Sequence, residues 1–310
     1  MAAPSPIPSN PPVPSGRARR HAFARPLAQQ GFTLLELMVG IAIGLLVVAV
    51  ATAALMVSRG VSGSVSDASG VQQQAAYAMR VIGLQLRQAG SLYLNLDPKN
   101  LKPDPTLAIT TPVAFETTAK GESGLEFDPS LNTVSGTATP VTLTVGYRRY
   151  KEPVYTDAAE QSQARNCVGG PANSSVDQRI DNVFQLSGSQ LQCSGNGAAA
   201  QTLVQNVADF QVRYLIQDNT KPGSPGIQYV PSANIGAWTT VEWSKVRAVE
   251  VCLVLYGNEP IDLPAGSSYV GCDGTSVNMT TLTGQRNRRM HIAYRNVFQL
   301  RSQGLIGSVL

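Results

Sequence analysis

A carboxylate inside an apolar run is the first chemistry this sequence offers. Across residues 32–57 the only charged side chain is Glu36, about one helical turn after Phe32. An ionised carboxylate at the centre of a bilayer costs at least about 2.5 kcal/mol. Two roles fit an acid so placed. It stays near the interface and reaches water, or an opposite charge neutralises it. Four cysteines follow much later, Cys167, Cys193, Cys252 and Cys272, with no C-x-x-C pair. Their spacings, and a histidine count of two (His21 and His291), argue against a zinc centre. Local pairing is expected, Cys167 with Cys193 and Cys252 with Cys272, because each bond would close a polar, glycine-rich loop. Free thiols are the alternative, disfavoured in an exported chain.

No catalytic constellation emerges. There is no H-E-x-x-H, G-x-S-x-G, P-loop or dinucleotide fingerprint, and no paired-carboxylate motif. His291 falls within an expected strand and reads as structural. Neither an enzyme, a cofactor nor a metal is expected. Arg286, Arg288 and Arg289 form a basic cluster. Its ordinary reading is a solvated strand face, with contact to DNA or a partner as the alternative.

The elements that must carry these residues follow from pattern. Residues 1–16 are rich in Pro and Ser and read as disordered. The net charge of +4 is accounted for by Arg17, Arg19, Arg20 and Arg25, which precede Gly31 with no acid among them. The body is neutral by this count and offers no general nucleic-acid footprint. The apolar run of residues 32–57 is far longer than a secretory h-region. As a helix it reaches about 39 Å, enough to cross a bilayer core of about 30 Å. The arginines ahead of it predict a cytoplasmic N-terminus. Charged residues are 14% of the chain, against about 25% in ordinary domains, which suits an extracytoplasmic, strand-rich protein.

Val71, Ala75, Met79, Ile82 and Leu86 recur at helical spacing, so an amphipathic helix is expected over residues 58–90, ending near Gly90. Gly and Ser between Gly60 and Gly70 leave one long helix or two helices with a bend both open. Gly40 and Gly44 allow close helix packing, an ordinary membrane-helix glycine, or local softening. Beyond residue 90 the period becomes two. "VTLTVGY" (141–147), "FQVRYLI" (210–216) and "KVRAVEVCLVLY" (245–256) read as antiparallel strands with one buried face. Shorter strands are expected at 125–127, 183–186 and 290–300, a hairpin turn at "LSGSQL" (186–191), and a loop at "NTKPGSPG" (219–226).

The stretch "GFTLLEL" at 31–37, after a basic leader and before a long apolar helix, resembles the class III signal of type IV pilins and pseudopilins. The resemblance implies cleavage between Gly31 and Phe32 by a prepilin peptidase, N-methylation of Phe32, and pairing of Glu36 with the N-terminal amine of a neighbouring subunit. "LVQNVADFQVRYLI" (203–216), "VRAVEVCLVL" (246–255) and "RNRRMHIAYRNVFQLR" (286–301) resemble PilW-type minor pilins, themselves similar to the J-type minor pseudopilins of type II secretion. The implied fold is α+β and pilin-like, with a long N-terminal helix packed on an antiparallel β-rich domain. The implied organisation is a leader at 1–31, a membrane-spanning and filament-core helix at 32–57, an amphipathic extension at 58–90 and a periplasmic domain at 91–310. The implied partners are other minor pilins, the major pilin and the inner membrane. The implied role is priming of pilus assembly in a tip complex, with a type II secretion pseudopilin or a tip adhesin as alternatives.

Overall fold

The computed structural model describes residues 31–90, 93–94, 114–115, 119–120, 123–218, 226–236 and 238–301. The leader arginines, His21, most of 91–122 and most of the 219–226 loop lie outside the described residues. The chain divides into two compact units, with the boundary between Val57 and Ser58.

Helix α1 runs unbroken as Leu34–Gln88, so the Gly- and Ser-rich stretch stays helical. In the first unit every side chain of residues 34–57 is exposed, and the helix is long and apolar enough to cross a membrane. In the second unit it buries Val71, Ala75, Ala78, Ile82, Leu86 and Ala89. Ala78 replaces Met79 as the fully buried member of the stripe, and Met79 is only partly covered. After Gln88 the chain turns at Gly90, whose φ of 88° favours glycine, and Gly90 hydrogen-bonds with Gly146 and Arg148.

A two-residue pair, β1 (Tyr93–Leu94) with β2 (Ala114–Phe115), comes next. The strand expected at 125–127 is not one. Phe127 makes a single bridge to Ala119, because Asp128 already caps the short helix α2 (Pro129–Asn132), accepting from the Ser130 N–H at 2.8 Å. The first sheet is an antiparallel meander of β3 (Val134–Ala138), β4 (Val141–Arg148), β5 (Arg179–Ser187), β6 (Gln190–Ser194) and β7 (Gln201–Val204), in that order. The β5–β6 turn passes through Gly188 at φ 59°.

The second sheet is built from β8 (Val207–Asp218), β9 (Gly226–Pro231) and β10 (Val246–Tyr256), with α3 (Thr240–Ser244) before β10. A hairpin of β11 (Ser268–Val270) and β12 (Ser276–Asn278) then precedes β13 (His291–Gln299). The sheet order is β13-β10-β8-β9, antiparallel throughout. One core joins α1 to both sheets. It holds Ile82 and Leu86 from the helix, Leu143, Val145 and Phe184 from the first sheet, and Phe210, Val212, Val251 and Leu253 from the second. Burying one such side chain contributes roughly 1.5–3 kcal/mol.

Tyr214 couples the sheets. It is fully buried, packs edge-on to Trp243 at 4.9 Å, and directs its hydroxyl at the Ser135 carbonyl at 3.5 Å. A Cβ on Gly136 would overlap that hydroxyl, so β3 needs glycine there. Gly83 does the same for α1, since an added Cβ would lie 2.5 Å from the Phe298 ring. Asp67 fastens α1 to the loop after β10, accepting from the backbone N–H groups of Asn258 (2.8 Å) and Glu259 (3.4 Å).

Strand β10 departs from the one-faced expectation, being buried along nearly its whole length. Its second face, with Cys252 and Val254, is covered by Cys272 and Tyr269 from the segment carrying β11 and β12. Beside them, Glu250 is buried between Arg213 and Arg295, at 3.6 Å from each. Both arginines also donate to the Cys272 carbonyl.

Candidate functional site

The first candidate site is the start of α1. Thr33 precedes the helix and Glu36 lies in its first turn. The Thr33 N–H donates to Glu36 Oε2 at 3.3 Å, and the Glu36 N–H donates to Thr33 Oγ1 at 3.2 Å. This reciprocal pair is a capping box. The Thr-x-x-Glu spacing announces it in the sequence, yet the acid reads there first as a membrane anomaly. Position also favours the charge, because a helix N-terminus carries a partial positive charge worth about 0.3–1 kcal/mol to an acid. Phe32 is 89% exposed and nothing lies within 4 Å of the Gly31 Cα side where a side chain would stand. Glu36, held by Thr33, thus sits about one helical turn after the Gly31–Phe32 bond.

The cysteines sit in the second unit. Cys167 is bonded to Cys193 with Cα atoms 6.3 Å apart, and Cys252 to Cys272 at 5.7 Å. The first bond holds the loop between β4 and β5 against β6. Arg149 organises the same loop from inside. It is 1% exposed, and its guanidinium donates to the carbonyls of Ala172 (2.7 Å), Asn173 (2.8 Å), Ser175 (2.5 Å) and Asp177 (3.2 Å). Burial, and then Arg165 nearby, lower its affinity for its proton, which Asp177 partly restores. Nothing in the sequence pattern singles this residue out, because its partners are backbone carbonyls of a distant loop.

The arginine cluster is not on a strand face. Gly284–Arg286 forms a 3-10 turn, and Arg288 adopts a φ of 53°. Arg288 is ion-paired with Asp262. Arg286 donates through Nε to His291 Nε2 at 3.2 Å and through Nη2 to the Tyr269 hydroxyl at 2.7 Å.

His291 is buried and stacked on Tyr269, with ring centroids 4.9 Å apart. Since Arg286 can only donate, Nε2 must be the bare nitrogen. Nδ1 therefore carries the hydrogen, donated to the Arg289 carbonyl at 2.9 Å. Burial holds the His291 pKa below its usual 6.5. The folded chain thus binds fewer protons than the unfolded chain as pH falls below 6.5, and stability declines across that window. Urea midpoints should be level above pH 7 and fall toward pH 5, with a shallower fall in His291→Gln. An identical decline in the variant would rule His291 out as the cause. Among the described residues no group of His, Cys, Asp or Glu is arranged to hold a metal.

The described residues thus join a long apolar helix, with a single acid in its first turn, to an antiparallel domain. The prokaryotic N-terminal methylation motif matches residues 27–52. The family model of type IV pilus-assembly protein W matches residues 175–302, so this part of the globular unit is similar to PilW-type proteins and supports a minor-pilin role. That match begins in β5's approach, earlier than the 203–216 stretch that carries the resemblance by eye. Among solved structures, a type IV-like pilin from Thermus thermophilus is similar at 10% identity and a TM-score of 0.33, covering 74% of this chain and 94% of that one. No curated protein matches the chain. The matched families are structural, and their members interact with other pilins.

Proposed function

We propose that this protein is a minor pilin that enters the inner membrane with its N-terminus in the cytoplasm and its globular unit in the periplasm. Prepilin peptidase cuts between Gly31 and Phe32 and methylates Phe32. Residues 32–57 then remain in the membrane until the subunit joins other minor pilins and the major pilin in the complex that primes the filament and stays at its tip. The observation that carries this reading is the uncovered apolar stretch of α1, with a single acid in its first turn. A helix with no covered side over residues 34–57 needs lipid or neighbouring helices. The arginine cluster lends little to a DNA role, since Arg286 and Arg288 are held by partners within the chain.

Mass spectrometry of the mature protein should give N-methyl-Phe32 as the first residue. An intact leader, or a cut beyond residue 50, would overturn the reading. Deletion of the gene should abolish surface pili. Normal pili with lost attachment would point instead to an adhesin, and loss of protein secretion with intact pili to a pseudopilin.

A further inference from the structure

Arg286 and Arg288 are engaged, but Arg289 is not. Its Nη1 is buried without a hydrogen-bond partner. A buried donor left unmet costs about 1–3 kcal/mol. The side chain lines a cavity of 260 Å³ together with Asn206, Tyr256, Gly257, Asn258 and Gln285. The Tyr256 hydroxyl donates to Gln285 Oε1 at 3.3 Å, which leaves the Gln285 amide nitrogen without an acceptor among the described residues. Asn206 Nδ2 donates to Asn258 Oδ1 at 2.6 Å, which leaves the Asn258 amide nitrogen in the same state. Among the described residues no acid lines the cavity, and Arg289 is the charged group that does. The acid that holds this loop, Asp67, is occupied by the backbone N–H groups of Asn258 and Glu259.

A guanidinium with one unmet donor and two amide nitrogens therefore border the same open cleft. That chemistry suits a planar oxyanion, which a guanidinium meets with two parallel hydrogen bonds. Asn206 and Asn258 also line a second cavity of 380 Å³, bounded by Gln74 of α1 and by Thr202, Leu203, Val204 and Gln205. Strand β7 is the last strand of its sheet, and this cavity runs along it. A free sheet edge can take an extended backbone.

We propose that this cleft binds a carboxylate-bearing ligand. Arg289 holds the carboxylate, the amides of Gln285 and Asn258 complete its hydrogen bonds, and the cavity beside β7 receives the rest of the ligand. The end of a polypeptide and a small free organic acid share this chemistry, and the probes separate them.

The test uses the full mature chain, ¹⁵N-labelled in detergent micelles. Three probes are titrated: acetate, tetra-alanine with a free C-terminus, and tetra-alanine amide. Saturable shifts of the Gln285 and Asn258 side-chain amides are expected with acetate and with the free peptide. Arg289→Gln should weaken both by about tenfold or more, while Arg288→Gln leaves them unchanged. A free peptide that binds more tightly than acetate identifies a polypeptide end, and equal affinities identify a small acid. Absence of saturable shifts, binding indifferent to Arg289→Gln, or an amide that binds as well as the free acid would each overturn the proposal. Should Arg289→Gln fail to fold, Arg289→Lys keeps the charge but loses the fork. Unchanged binding in that variant would overturn the proposal equally.

Discussion

Replacing Arg149 by Met should destabilise the globular unit by about 3–5 kcal/mol, with the loop between β4 and β5 opening first. The side chains are similar in bulk, so packing is not the main loss. What disappears is a buried fork that satisfies the carbonyls of Ala172, Asn173, Ser175 and Asp177 together. Each of these acceptors then faces a space water does not readily enter. Arg149→Lys should recover less than half, because an ammonium group cannot span the same set. Urea unfolding gives the magnitude. Limited trypsin digestion gives the place, with Lys151 the expected early cut. A loss below about 1 kcal/mol would mean that water meets the carbonyls once the guanidinium is gone.

Glu36→Gln should be as defective in pilus incorporation as Glu36→Ala, with membrane insertion normal in both. The comparison is informative because of the capping box. Glutamine can occupy the third helical position of such a box, so Glu36→Gln keeps the cap and removes only the charge. Alanine removes both, with the cap worth about 1 kcal/mol. If the carboxylate pairs with the amine of a neighbour, the loss tracks charge, and both variants fall by about tenfold or more. Normal incorporation of Glu36→Gln beside a defective Glu36→Ala would instead make helix capping the role of this residue. Quantitative immunoblotting of sheared pili against whole cells reads either outcome.

How much of this was legible beforehand depends on where the covering residues come from. Strands β4, β5, β8, β10 and β13 show in the sequence because their apolar residues alternate along a local stretch. Strand β3 does not, since "VSGTA" offers mostly small side chains, and its Gly136 is explained only by Tyr214 arriving from a distant strand. Strand β9 hides for the opposite reason, being an edge with Ile227 and Tyr229 exposed. The second buried face of β10 is set by a segment that leaves the sheet after Tyr256 and returns only at His291. The arginines at 286–289 looked like part of a strand because the pattern of β13 was extended backward. Positive φ at Gly284 and Arg288 ends that pattern and turns the side chains into the fold. At the start of α1, Gly31, Phe32 and Glu36 stood out by charge and context, whereas the Thr33 partner of Glu36 did not.

The contact between Gly83 and the Phe298 ring has a consequence for the order in which the protein matures. Gly83 leaves the ribosome well before Phe298, and the Phe298 ring fills the notch left at Gly83. Domain folding generally proceeds from the N-terminal side during synthesis. Here the helix waits, since the strand that packs on it is made after the whole of the first sheet. A chain cut short before Phe298 would expose Ile82 and Leu86 along an unsealed flank, a target for proteases.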